Sequence, residues 1–151
     1  MNSTRAFTAT PSLATDVEVD VPTAKAFASG SDISIVTGMI TESAHGYVTG
    51  DVGQLTTSDT LPAGFALETD YFVIKVASGT YKLATSLANA LAGIPVIPTD
   101  VGVGNQTFTL TADAYTARKL CDAVNANTTA NKVVTASWVG TAVVTLTANQ
   151  A

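Results

Sequence analysis

In Asp16-Val17-Glu18-Val19-Asp20-Val21 apolar side chains alternate strictly with carboxylates. A period of two puts the valines on one face and the acids on the other, which is the pattern of a half-buried strand, and Pro22 ends it. Ile33, Ile35 and Val36 start a second predicted strand running toward Ile40. From residue 41 to 112 short β-forming runs follow one another over 52–57, 71–76, 80–84, 96–97 and 107–111. Turn chemistry separates them at Gly46, Gly50-Asp51, Pro62-Ala63-Gly64, Ser78-Gly79 and Gly102-Val103-Gly104-Asn105. In Tyr71-Phe72-Val73-Ile74-Lys75-Val76 every position but Lys75 is apolar, so this strand is expected to be central in its sheet. Leu87 and Leu91 have helical spacing and Gly93 follows, which predicts one or two helical turns.

The period changes again after residue 112. Ala114, Ala117, Leu120, Cys121 and Val124 share one face of a helix predicted over 113–125, with Asp113 as N-cap and residues 125–127 as terminator. Lys119 falls on the opposite face. Residues 133–139 and 142–147 then flank Gly140-Thr141 as a terminal β-hairpin. At the other end residues 1–15 show no sustained period, with Phe7 and Leu13 as their sizeable apolar side chains and Pro11 as a break, and they read as an extended arm. The expected fold is therefore mainly β (α+β). A small β-barrel or sandwich-like module over 16–112 carries the N-terminal arm of 1–15, and the helix and hairpin of 113–151 pack on the same domain. A chain of 151 residues suits one such unit.

Composition narrows the function classes. Only 13% of residues are charged, about half the ~25% of an ordinary soluble domain. Twelve acidic against seven basic residues, the latter scattered, give a net charge of -5 and argue against nucleic acid as a partner. No window approaches the ~20 apolar residues of a membrane span, and the first residues lack the apolar core of a signal peptide. The expectation is a chain made in the cytoplasm, without membrane partners. Cys121 is the only cysteine, so no internal disulfide forms.

Candidate chemistry is sparse. His45, the single histidine, has no second imidazole and no cysteine near it in sequence, and is read as a turn histidine bonded to local backbone. Glu18 with Asp20 and Glu68 with Asp70 pair carboxylates at i, i+2, a spacing read as a solvated face. The run Gly102-Val103-Gly104 has the first two glycines of a dinucleotide loop, but Thr107 replaces the third and a strand follows, so it is read as a turn. Asp51 and Asp100 sit in loops without the alternating acids of a calcium site. Tyr47, Tyr71, Phe72, Tyr81 and Trp138 could stack on sugars, but aromatics on alternating strands favour the core. No catalytic residue, metal ligand or cofactor site is assigned.

Four stretches carry a family resemblance: Ala44-His45-Gly46-Tyr47-Val48-Thr49-Gly50-Asp51-Val52, Leu61-Pro62-Ala63-Gly64, the run from Tyr71 to Val76, and the run from Tyr81 to Gly93. They resemble a β module of tailed-bacteriophage structural proteins, in which the pattern is an HGxxTGD turn, an LPAGL loop, a YYVIKV strand and a KLATSLANALAG stretch. Phe65 stands where that loop has leucine. About half of the chain is covered, and the run from Tyr81 to Gly93 is the most specific part. The resemblance implies a virion component that catalyses nothing. The leading expectation is a head decoration or cement protein acting as a homo-oligomer, a trimer being one arrangement, on the major capsid protein or other virion proteins. The arm, through Phe7, Pro11 and Leu13, is the expected partner contact, lying across a neighbouring subunit's sheet edge. The alternatives are a tail, neck or fibre component, or a carbohydrate-binding adhesin module with Trp138 and the tyrosines on one concave face.

Overall fold

The computed structural model describes residues 24–126, 134–138 and 144–149. The arm of 1–15 and the alternating run 16–21 lie outside these residues. Among the described residues eight strands and two helices follow in chain order: β1 (Lys25–Ala28), β2 (Ile40–Thr41), β3 (Val52–Thr57), β4 (Asp70–Ala77), β5 (Thr80–Ala84), α1 (Leu87–Leu91), β6 (Asn105–Leu110), α2 (Ala112–Ala126), β7 (Val134–Trp138) and β8 (Val144–Ala148). The protein is mainly β with antiparallel sheets, as the alternation predicts.

Six strands form one sheet in the order β1-β6-β3-β4-β5-β2, while β7 and β8 form a separate two-stranded sheet. The large sheet is strongly curled. β5 and β6 are three strand spacings apart, ~14 Å along a flat sheet, yet the rings of Tyr81 and Phe108 on them lie 6.1 Å apart. Tyr47 fills the space between, edge-on to Tyr81 at 5.1 Å and to Phe108 at 5.5 Å. Offset and edge-to-face rings at such distances add to the stabilisation from burial alone. The inward row of each strand follows the period of two: Leu55 on β3, Tyr71 and Val73 on β4, Tyr81 and Leu83 on β5, Phe108 and Leu110 on β6. Loop 29–39 stitches the two edge strands together through Asp32 N–H to the Ala28 carbonyl and Thr41 N–H to the Asp32 carbonyl. The module is therefore barrel-like, with its edges joined by a loop instead of a ladder.

β4 is central, as expected, but only one of its faces is closed: Tyr71 and Val73 are buried, Phe72 and Ile74 partly so, and Val76 is exposed. α1 begins at the Ser86 cap, whose hydroxyl accepts from Asn89 N–H, and Gly93 follows its end with φ +71°. Several expectations need correction. The predicted strand from Ile33 to Ile40 is only the bridge Ile33↔Ile40 with β2. Between them residues 34–38 turn, because the Ser34 hydroxyl accepts the N–H groups of Val36 and Thr37 and Gly38 takes φ +65°. A Cβ at Gly38 would lie 2.3 Å from the Val96 carbonyl oxygen, so glycine permits the close approach of these loops. Val96-Ile97 forms no strand, being held between prolines with Val96 N–H on the Leu83 carbonyl.

α2 also starts earlier than its sequence signal. The Thr111 carbonyl accepts the Tyr115 N–H, so Asp113 lies in the first turn and is not the cap. Its buried face is Ala114, Tyr115, Ala117, Arg118 and Cys121, whereas Leu120 is 49% exposed. Relative to the predicted stripe the face is rotated toward Tyr115 and Arg118, the side chains long enough to reach the module, and Tyr115 joins its core cluster. α2 packs on β7 and β8 with its other flank. The hairpin pairs Ala136 with Leu146 and Trp138 with Val144.

Candidate functional site

Buried polar side chains mark where a fold spends stability on something besides packing. Among the described residues they are Glu42, His45, Asp51, Gln106 and Arg118. Four of them, Glu42, His45, Asp51 and Arg118, lie on or against loop 42–51. His45 is held by both ring nitrogens: Nε2 donates to the Ala77 carbonyl at 2.9 Å and Nδ1 accepts the Tyr47 N–H at 3.0 Å. That pairing puts a hydrogen on Nε2 and leaves Nδ1 as the acceptor, with the ring tilted against those of Tyr47 and Tyr81, each 5.0 Å away. One bond is to local backbone, as expected, but the other spans to the end of β4, and the residue is core. The ring has no free nitrogen for a substrate proton.

Tyr81 donates to Glu42 Oε2 at 2.9 Å, and Tyr47 donates to the Phe108 carbonyl at 3.2 Å. Burial, reinforced by the Glu42 carboxyl, pushes both phenols well above their ordinary range, with Asp51 adding to the effect on Tyr47 and Tyr47 to that on Tyr81. Asp51 is the second node. Oδ2 accepts the Val48 N–H at 2.9 Å, and Oδ1 lies 2.7 Å from Arg118 Nε of α2. Burial pushes the Asp51 carboxyl up, against the opposing pull of the Val48 amide and the Arg118 guanidinium. The guanidinium also lies 4.9 Å over the Tyr115 ring and 3.6 Å from Asp122. This ion pair clamps α2 to the loop that carries His45. The cluster is a set of internal struts.

The other residues singled out in the sequence do not converge. Glu68 and Asp70 are exposed, and Asp70 accepts from the Gln54 amide. Asp100 Oδ1 accepts the N–H groups of Gly102, in its own turn, and of Ala63, so it ties that turn to the 62–64 loop. Gly102–Gly104 forms the expected turn, bridged through Val103 to Thr60. Cys121 is buried on α2. Among the described residues no group of three or more His, Cys, Asp or Glu gathers as a metal requires. Within the same residues no helix is long and apolar enough to cross a membrane. Tyr47, Tyr71 and Tyr81 are packed inside, out of reach of a sugar ring, and Trp138 is half-buried. Phe7, Pro11 and Leu13 lie outside the described residues, as do Glu18 and Asp20.

No protein-family model, curated protein or solved structure matches this chain. The surface is the remaining source of functional information, and it carries an unusual apolar patch. Val36 is 81%, Leu91 69% and Ile94 56% exposed, with Ile35 and Ile97 beside them in sequence and also exposed. They come from two segments, 33–41 and 85–99, that contain no charged residue. The segments meet at Gly38, against the Val96 carbonyl and the Ile97 side chain. Exposed apolar side chains are thus concentrated on two uncharged segments that touch at Gly38.

Sequence reasoning missed Glu42, Gln106 and Arg118. For Arg118 a signal existed, since it stands four residues after Ala114 and three before Cys121 on one helical face. For Gln106 it was the period of two, which sets it in one row with Phe108 and Leu110; for Glu42 none did, because its burial comes from strands distant in sequence.

Proposed function

We propose that this chain is a structural component of a tailed-phage virion, a homo-oligomeric decoration or cement protein that stabilises the head by contact. The observation that carries the reading is the uncharged apolar patch of Ile35, Val36, Leu91, Ile94 and Ile97. A chain of net charge -5 that must sit on a crowded lattice needs contact faces free of like charge, and both segments of this patch meet that need. The polar residues that could have done chemistry are occupied as struts, which favours a rigid building block over an enzyme. The resemblance of residues 44–93 to the phage β module supplies the assembly class. In this reading Phe7, Pro11 and Leu13 add contacts to a neighbouring subunit. A place in the tail or neck is the second reading, favoured by the same patch.

A protein that binds only the assembled state stabilises it by mass action. The test is to strip the protein from particles, add it back, and compare rupture on heating at low and high ionic strength. Protection that survives high salt is expected, since an apolar contact is not screened. Val36→Asp and Leu91→Asp should abolish occupancy without altering the fold. Particles equally robust without the protein would overturn the head role, and imaging it on the tail would select the second reading.

A further inference from the structure

The terminal hairpin is amphipathic. Its register puts Ala136, Trp138, Val144, Leu146 and Ala148 on one face and Thr135, Ser137, Thr145 and Thr147 on the other. α2 covers the β7 half of the apolar face, where Ala136 is 3% exposed, and leaves the β8 half bare, where Leu146 is 59% exposed. Leu120 of α2 overhangs the same side, and with Ala117 and Val144, and with Asp113 and Thr116 toward the helix start, it lines an open groove of about 380 Å³.

The two outer edges of the hairpin differ as well. On β7, Asn125 of α2 closes the edge, its Nδ2 donating to the Ala136 carbonyl at 2.8 Å and its Oδ1 accepting the Ala136 N–H at 2.9 Å. Those bonds fix which backbone groups face outward: Ala136 turns away from β8, so its partner Leu146 turns away from β7, and Val144 and Ala148 do the same. The outward N–H and C=O groups of β8 have no partner among the described residues. Val144-Thr145-Leu146-Thr147-Ala148 contains no charge and no proline, the devices that guard free edges.

We infer that β8 pairs antiparallel with β8 of a second copy about a two-fold axis near Leu146. This deepens the assembly reading and rests on its self-association half. An occupant that supplies both a strand edge and an apolar cover satisfies both features, and a second copy does so with the same surface. The two-fold stands perpendicular to the sheet, so both α2 helices lie on one face of a four-stranded sheet β7-β8-β8-β7. The seam between them gathers Leu120, Val144 and Leu146 from each chain. A sheet of three strand spacings, ~14 Å wide, is what two neighbouring helices at ~8–10 Å can roof. The helices run antiparallel, which keeps Asp113 of one copy at the opposite end from Asp113 of the other. No charged pair of like sign meets along the strand seam.

Sedimentation velocity on the full chain tests this, with Leu146→Lys and Ala148→Pro as variants. The first places a charge in the apolar seam. The second removes an outward N–H that takes no part in the β7–β8 ladder, a position where an edge strand tolerates proline. A two-chain species for the natural sequence, with both variants reduced to one chain and unchanged in far-UV circular dichroism, is the expected result. A single-chain species at 100-fold the concentration found on particles, or an oligomer that survives both substitutions, would overturn it. Failure here leaves the particle-rupture assay to judge the cement reading separately, and a dimer that leaves particles unprotected does the reverse.

Discussion

Replacing Arg118 with methionine keeps the aliphatic stem that packs beside Tyr115 and removes only the guanidinium. What remains is Asp51, whose side chain is 1% exposed and which then holds a single N–H donor, from Val48. Deleting one partner of a buried ion pair costs about 3–5 kcal/mol, because the surviving charge is desolvated without compensation. The other contacts of Arg118 add little: the Asp122 carboxylate at 3.6 Å is solvent-exposed and contributes at most ~1 kcal/mol, and the cation–π contact contributes about as much. At about 2–4 °C per kcal/mol for a chain of this size, Arg118→Met should lower the melting temperature by roughly 6–20 °C. Asp51→Asn on the Arg118→Met background should recover part of the loss, since the amide is neutral and still accepts from Val48.

The pH dependence carries a definite sign. Burial already raises the Asp51 carboxyl, and loss of Arg118 raises it further, so the folded variant binds the proton more tightly than the unfolded chain, whose value is about 3.9. Stability from that proton is fully present below the unfolded value and is lost as pH rises through the folded one. The gap between the variant and the natural protein should therefore narrow on acidification from pH ~7 toward ~4. Urea denaturation followed by Trp138 fluorescence reads both effects. A loss below ~1 kcal/mol, far under the buried-pair range, or no rescue by Asp51→Asn, would refute the clamp.

Three further outcomes follow from named contacts. Leu120→Ala should cost ~1 kcal/mol or less in the monomer, because half of the side chain is in water, while Tyr115→Ala should cost about 3–5 kcal/mol; equal shifts in chemical denaturation would mean that the helix register differs. Asn125→Ala removes both side-chain bonds to Ala136 and should destabilise the hairpin by about 1–3 kcal/mol, seen as faster amide exchange at residues 134–138. Tyr47 and Tyr81 are held neutral by the fold, so the stability they contribute is complete below the unfolded phenol value of about 10 and is lost as pH rises beyond it. In an alkaline titration their tyrosinate absorbance should appear together with unfolding, and reversible ionisation with the β signal intact would contradict their burial.

Local pattern determined much of this protein before any packing was known. The period of two over residues 52–57, 71–76, 80–84 and 107–111, the Ser86 cap with Gly93 after it, and the antiparallel pairing of 134–138 with 144–148 are properties of backbone geometry and neighbouring side chains, so sequence carries them. The strand expected at 33–40 failed because Ser34 and Gly38 offer a local turn, and only the Val96 loop pressing on Gly38 decides for it. The stripe on α2 was displaced because both Leu120 and Arg118 lie within reach of a helical face, and which is buried depends on Asp51, sixty-seven residues earlier in the chain. The same holds for the interior polar cluster. Tyr81, Tyr47 and Phe108 meet because the sheet curls, bringing β5 to β6 across two intervening strands, and a polar side chain's fate is set by what that closure leaves beside it. Sequence writes the elements; the curl of the sheet chooses which of their side chains face one another and which, like Val36, Leu91 and Leu146, are left exposed.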